Sequence, residues 1–293
     1  MGEFVDISKR TVLSMTGQDC LDFLQRISTN NVLSVGPGQP VQTVLTNEKG
    51  RIVDVVTVVK KTDAEVLVLG ESETSGLLQS WIEKYIIMED IRHEDVTDKY
   101  VQFLAYGSEA TSRGALIENV PDGFLIVEEV RRDCRMLRVV VAATLKGSAE
   151  LELSQLGYQL ASSERFDEFR IRHGVPAFPN ELSVSYNPLE AGLGHLISWT
   201  KGCYIGQEVI ARLNTYKKVQ RTLVGLRMSE LPQAFPAPIL SADSECGTIT
   251  SARKASGKEE CIGLGYLKTG MEPSGSACFF VSGGIKIPVG VER

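Results

Sequence analysis

The chain has 293 residues, with 31 Lys and Arg against 37 Asp and Glu for a formal net charge of −6, and 43% of its residues are hydrophobic. This is ordinary globular composition and excludes a disordered, collagenous or helical membrane chain. A length near 300 exceeds what one core usually fills, so two or three domains are expected.

No stretch reaches the roughly 18 consecutive apolar residues of a membrane helix, and residues 1–10 lack the basic flank and apolar run of a secretory signal. The expectation is a cytoplasmic protein without membrane association. Cys20, Cys134, Cys203, Cys246, Cys261 and Cys278 include no Cys-x-x-Cys pair, which points to reduced thiols and to no local metal site. His93, His173 and His195 are isolated and add no ligand spacing. The acidic balance argues against direct binding to a nucleic-acid backbone, which is driven by neutralising phosphates.

In chain order, Thr16-Gly17-Gln18-Asp19 offers cap residues ahead of Cys20, Leu21, Phe23, Leu24 and Ile27, whose spacing predicts a short helix with one apolar face. Residues 41–45 and 51–60 read as two strands joined by a polar turn ending in Gly50, and 65–69 as a third. Leu77, Leu78, Trp81, Ile82, Tyr85 and Ile86 predict an amphipathic helix over 72–87 that covers a sheet. Strands follow at 100–105, 124–127 and 136–142, then a helix over 163–173 that stops at Gly174 and Pro176. The mixture without strict βαβ alternation predicts α+β architecture with largely antiparallel sheets. From 219 onward short strands at 221–228, 246–251, 261–267, 277–281 and 285–289, separated by Gly, Pro and Ser, predict a small β-barrel.

The most unusual string is Lys201-Gly202-Cys203-Tyr204-Ile205-Gly206-Gln207-Glu208, running into a predicted helix through Leu213. Two glycines bracket the thiol, permitting close approach and positive φ. Lys201 and a helix starting near Gly206 both favour a thiolate. Cys203 therefore reads either as a reactive thiol or as a small hydrophobe packed in a turn. Glu208 and Arg212, one turn apart, suit an exposed ion pair, and Lys217, Lys218 and Arg221 suit either a solvated face or contact with an anionic ligand tail.

The octet resembles the signature of the folate-binding YgfZ and mitochondrial iron-sulfur assembly factor Iba57 family, relatives of the glycine cleavage T-protein, an aminomethyltransferase. Residues 12–25 and 45–59 resemble that family's opening strand, helix and hairpin. Pro-Leu-Glu-Ala-Gly-Leu at 188–193 is similar to a T-protein stretch, and 246–251 with 262–266 resembles the T-protein barrel. The resemblance implies a three-domain ring with tetrahydrofolate, or a one-carbon derivative, in a central channel. It divides the chain into 1–48 with 145–216, then 49–144, then a C-terminal barrel at 217–293.

A pterin presents an amide N–H beside an amine, a donor pair that one carboxylate accepts bidentately. By motif match Glu190 is the candidate acceptor or a structural carboxylate, and Tyr204 a lining ring or a core aromatic. Gln207 and Arg212 are further candidate folate contacts. Where the aminomethyltransferases usually carry two adjacent aspartates, this chain reads Val53-Asp54-Val55-Val56. Asp54 therefore either serves the folate or faces solvent on a half-buried strand. Arg172 and Asn31 stand where the T-proteins commonly carry Glu and Asp. The resemblance implies a folate-binding accessory factor for iron-sulfur proteins or their assembly factors, with an indirect link to tRNA modification. Cys203 would react and Lys201 would hold its thiolate. The alternative is a true aminomethyltransferase transferring a one-carbon unit to tetrahydrofolate.

Overall fold

The structure is a computed structural model and describes residues 2–107, 110–118, 120–132, 134–242, 244–270 and 278–292. The chain forms two compact units, one of Met1–Thr46, Val53–Ser163 and Leu196–Ile205, the other of Asn47–Ile52, Glu164–His195 and Gly206–Arg293.

Ten strands build the first unit: β1 (Gly2–Asp6), β2 (Val12–Thr16), β3 (Pro40–Thr46), β4 (Ile52–Thr62), β5 (Glu65–Gly70), β6 (Arg92–Asp95), β7 (Tyr100–Tyr106), β8 (Phe124–Arg131), β9 (Cys134–Ala142) and β10 (Tyr158–Leu160). They form two five-stranded sheets, β10-β1-β7-β9-β8 and β3-β4-β5-β2-β6. The helices are α1 (Cys20–Ile27), α2 (Ser75–Glu83), α3 (Ala110–Glu118), α4 (Lys146–Gln155), α5 (Ser163–Arg172) and α6 (Gln207–Thr215). Phe23, Leu24 and Ile27 of α1 and Leu78 and Ile82 of α2 pack on one face of the β4-β5-β2 sheet. Its other face, through Val12, Val59, Leu67 and Leu69, meets Val127 and Val140 of the second sheet, whose far side is closed by Leu116 of α3 and Ala149 and Leu153 of α4. Four layers result, helices outside and two sheets within.

The first eight residues of β4 are buried without a break. The half-buried strand with a solvent-facing Asp54 is not what forms, because both faces of that sheet are covered. The helix expected over 72–87 is shorter at both ends. Ser72 lends its Oγ to the Thr74 N–H, and Tyr85 and Ile86 turn back onto Ile82 and Glu83.

The second unit ends in a closed barrel ordered β11-β14-β13-β12-β15-β16, built from β11 (Arg221–Met228), β12 (Ala237–Ser241), β13 (Ser244–Lys254), β14 (Cys261–Lys268), β15 (Cys278–Ser282) and β16 (Ile285–Glu292). Closure leaves no exposed sheet edge. Cys246, Cys261 and Cys278 lie in its apolar core with Ile239, Ile249 and Phe280. Strand β12 carried no strand signal because Pro236 and Pro238 interrupt it. Residue 277 of the expected strand 277–281 lies outside the described residues. The outcome is the α+β class with a C-terminal barrel.

A charged network is sealed in the first unit. Arg138 donates to the side chain of Gln102 at 2.6 and 2.9 Å and to the Gly70 carbonyl at 2.9 Å, and approaches Glu129 at 3.5 Å and Glu71 at 3.7 Å. Arg10 reaches Glu71 at 2.8 Å and Arg131 reaches it at 3.4 Å. Removing one member strands its partners, and breaking a buried pair costs about 3–5 kcal/mol. Arg138→Met should therefore lower the free energy of unfolding in urea by about that amount.

Candidate functional site

The octet begins by capping a helix. The last carbonyls of α1 have no partner within the helix. Leu24 O accepts the Ser28 hydroxyl at 2.7 Å, and Arg26 O accepts the Ile205 N–H at 3.1 Å. Lys201 Nζ donates to Gln25 O at 2.6 Å, Ser28 O at 2.7 Å and Asn30 O at 2.6 Å. All three ammonium donors are thus used, and the positive charge sits at the negative end of the α1 dipole. Burial pushes Lys201 down to about 8, while three short charge-assisted bonds favour the ammonium. Thr29 O accepts the Ser198 N–H at 3.0 Å and Thr46 Oγ1 donates to Ile205 O at 2.6 Å, so residues 196–205 are fastened along their length.

Between the anchors at Lys201 and Ile205, Cys203 is exposed. Of the other described thiols, Cys20 and Cys246 are buried and pushed up to about 11 by desolvation. Tyr204 packs inward at 8% exposure, with Lys201 Nζ 5.4 Å from its ring centroid, and burial raises its hydroxyl to about 12. Lys201 therefore spends its hydrogen bonds on carbonyls at and just beyond the end of α1, and none goes to the thiol it was expected to steady.

Gly206 starts α6 with φ +82°, and a Cβ there would fall 2.5 Å from Asn47 O and 2.9 Å from the Gly50 Cα. It serves a backbone-on-backbone contact that only glycine fits. Gly202 has open space around it, so only the second bracketing glycine is sterically required.

Asp54 corrects the sequence expectation. It is 0% exposed and accepts the backbone N–H groups of Val55 at 2.7 Å, Glu71 at 3.2 Å and Ser72 at 3.4 Å. Desolvation, then the nearby Glu71 charge, pushes its carboxyl up to about 7. A group sealed in this way is neither solvent-facing nor placed to touch a ligand.

The second unit holds the other candidates. Asn187 Oδ1 accepts the N–H groups of Leu189 and Glu190, both at 3.0 Å, and the Asn187 N–H donates to Glu190 Oε2 at 3.0 Å. The Leu223 N–H donates to Glu190 O at 3.1 Å. Glu190 is 3% exposed, and Arg51 Nη1 meets the same Oε2 at 3.2 Å. Arg51 was not legible as a site residue, because it lies 139 positions away. Gln207 opens α6, and Arg212 on that helix is exposed and lines a 340 Å³ cleft with Leu213, Tyr216, Lys218 and Gln220. Glu208 and Arg212, both exposed, do not pair. Arg172 is engaged by Glu168 at 2.6 Å. Among the described residues no three His, Cys, Asp or Glu side chains converge as metal ligands, and no helix is long and apolar enough to cross a membrane.

Residues 2–118 match the GCVT N-terminal domain. The chain is 28% identical to a chloroplastic protein of Arabidopsis thaliana that bears a transferase name, over 90% of this chain and 65% of that protein. It is 26% identical to an aminomethyltransferase of Picosynechococcus, over 93% of this chain and 80% of the relative. The crystal structure of glycine cleavage system aminomethyltransferase T from Bartonella henselae superposes with a TM-score of 0.80, covering 100% of this chain and 85% of that one at 17% identity. These findings support the T-protein superfamily, and the mixed helix-and-sheet fold with its closed six-stranded C-terminal barrel agrees with them.

Native-state alkylation followed by mass mapping should label Cys203 well ahead of Cys20, Cys246, Cys261 and Cys278. Lys201→Met should destabilise the chain by about 3 kcal/mol, since hydrogen bonds to charged groups are worth about 1.5–3 kcal/mol each and do not add fully. Lys201→Arg should not restore stability, because a planar fork cannot converge on three carbonyls as an ammonium does. For Asp54 the folded pKa of about 7 lies above the ordinary 3.8. Its contribution is full below pH 3.8 and is lost as pH rises through 7. Relative to Asp54→Asn, the unfolding free energy of the natural chain should fall across that window.

Proposed function

We propose that this chain is a tetrahydrofolate-binding accessory protein of the YgfZ/Iba57 kind, supporting assembly or repair of iron-sulfur proteins and through them tRNA modification, in the cytoplasm. The observation that carries this reading is a contrast. Cys203 is exposed between two backbone anchors, whereas Asp54, the one left of the aspartate pair that aminomethyltransferases usually carry there, is sealed and bonded to three N–H groups, with Val55 in place of its neighbour. An aminomethyltransferase needs a carboxylate able to orient or exchange a proton with the reacting nitrogen, and that group is spent here on backbone structure.

Tetrahydrofolate supplies the nitrogen atoms that carry one-carbon units. The residues fit its recognition in one respect: both hydrogen bonds to the Glu190 carboxylate fall on Oε2, leaving Oε1 as an acceptor for a pterin donor. Gln207 and Arg212 are the further contacts in this reading, with Arg212 suited to a carboxylate tail. Tyr204 supports the Lys201 anchor. Cys203 supplies the nucleophilic sulfur.

The competing reading, a one-carbon transferase, draws on the 26% identity to the Picosynechococcus aminomethyltransferase. Two assays separate them. The gene should rescue a YgfZ-deficient bacterium, and Cys203→Ser should lose rescue while keeping its urea-unfolding midpoint. Transfer from a lipoylated carrier that survives Cys203→Ser and disappears in Asp54→Asn would establish the enzyme instead.

A further inference from the structure

Glu190 is held in place without Arg51. Its N–H is bonded to Asn187 Oδ1, its carbonyl to the Leu223 N–H and its Oε2 to the Asn187 N–H, all at 3.0–3.1 Å on a residue only 3% exposed. Arg51 adds a single contact at 3.2 Å from a side chain 37% exposed, and the same Nη1 also donates to Ser185 O at 3.2 Å. The contact is long and monodentate and its arginine side is open to solvent, so it fixes Glu190 less than the two Asn187 bonds do. It is weak as an anchor, but it matters for acceptor capacity.

A carboxylate offers about four lone-pair sites, two on each oxygen. Asn187 and Arg51 together fill Oε2, while among the described residues no donor reaches Oε1. A ligand that presents an N–H beside an amine wants one donor on each oxygen. With Arg51 in place, only Oε1 is available to it.

Resting on the folate reading above, we infer that Arg51 is a specificity-determining residue: it occupies the Oε2 site of Glu190 that a paired-donor ring requires, and yields it when such a ring binds. A ligand with a single donor uses Oε1 and leaves Arg51 where it is. The arginine thereby lowers affinity for the two-donor ligand alone and narrows the difference between the two.

The test is calorimetric titration of the full chain with tetrahydrofolate and with its 2-desamino analogue, for the natural protein, Arg51→Met and Glu190→Gln, each checked for an unchanged urea-unfolding profile. The expected result is that Arg51→Met binds tetrahydrofolate up to about fivefold more tightly, the equivalent of about 1 kcal/mol, while its affinity for the analogue stays the same. Arg51→Met binding tetrahydrofolate no more tightly than the natural chain, with Glu190→Gln still abolishing binding, overturns the role of Arg51 and leaves the folate reading standing. Absence of binding to the natural chain and to Arg51→Met alike, or binding indifferent to Glu190→Gln, removes the folate reading and the role of Arg51 with it.

Discussion

The ammonium of Lys201 on the carbonyls of Gln25, Ser28 and Asn30 is the contact from which the thiol segment takes its shape. It satisfies the Gln25 carbonyl, which the end of α1 cannot satisfy itself, and two carbonyls just beyond the helix, from a residue more than 170 positions away in sequence. Two effects compete there. Desolvation favours the neutral amine, while three carbonyl dipoles and the helix terminus favour the ion. The neutral amine has only two N–H groups and would leave one carbonyl unmet. Because Ile205 returns its N–H to Arg26 of the same helix end, Gly202, Cys203 and Tyr204 form a short arch between two fixed points. Tyr204 turns in and the sulfur turns out.

The octet is two anchors in series. Lys201–Ile205 serves the end of α1 in the first unit, whereas Gly206 lets the backbone approach Asn47 and Gly50 in the second. Lys201, Tyr204, Ile205 and Gly206 are therefore explained by structure. Cys203 is not: an exposed thiol caps nothing and fills no core. Among the octet residues without a structural task, Cys203 is the one that carries a nucleophilic atom.

Much of the architecture was legible because local signals agreed. Phe23, Leu24 and Ile27 announced α1 by spacing, and short strands cut by glycine and proline announced the barrel. The failures share a cause, which is long-range context. Asp54 was read by a period of two that holds only when one sheet face is wet, and β4 is covered on both. Lys201 was read from its neighbour in sequence, and its partners lie at the end of α1 and in the segment just after it. Arg51 was invisible for the same reason, since its partner Glu190 comes near only after the chain folds. Spacing reveals periodic faces; it does not reveal which carbonyl, sheet or carboxylate will arrive opposite.

Likeness of fold does not by itself carry likeness of chemistry. A TM-score of 0.80 to an aminomethyltransferase fixes the architecture at 17% identity, and architecture constrains function weakly. What the chain has done with the shared positions is more informative. A carboxylate near a reacting nitrogen must be able to change its hydrogen-bond partners during the reaction. Asp54 instead holds three backbone N–H groups, and Glu71 raises the cost of its charge. Freeing it would strand those donors inside the first unit, each at a cost of about 1–3 kcal/mol. Asp54 is thereby committed to backbone structure, whereas Cys203 stands open to solvent.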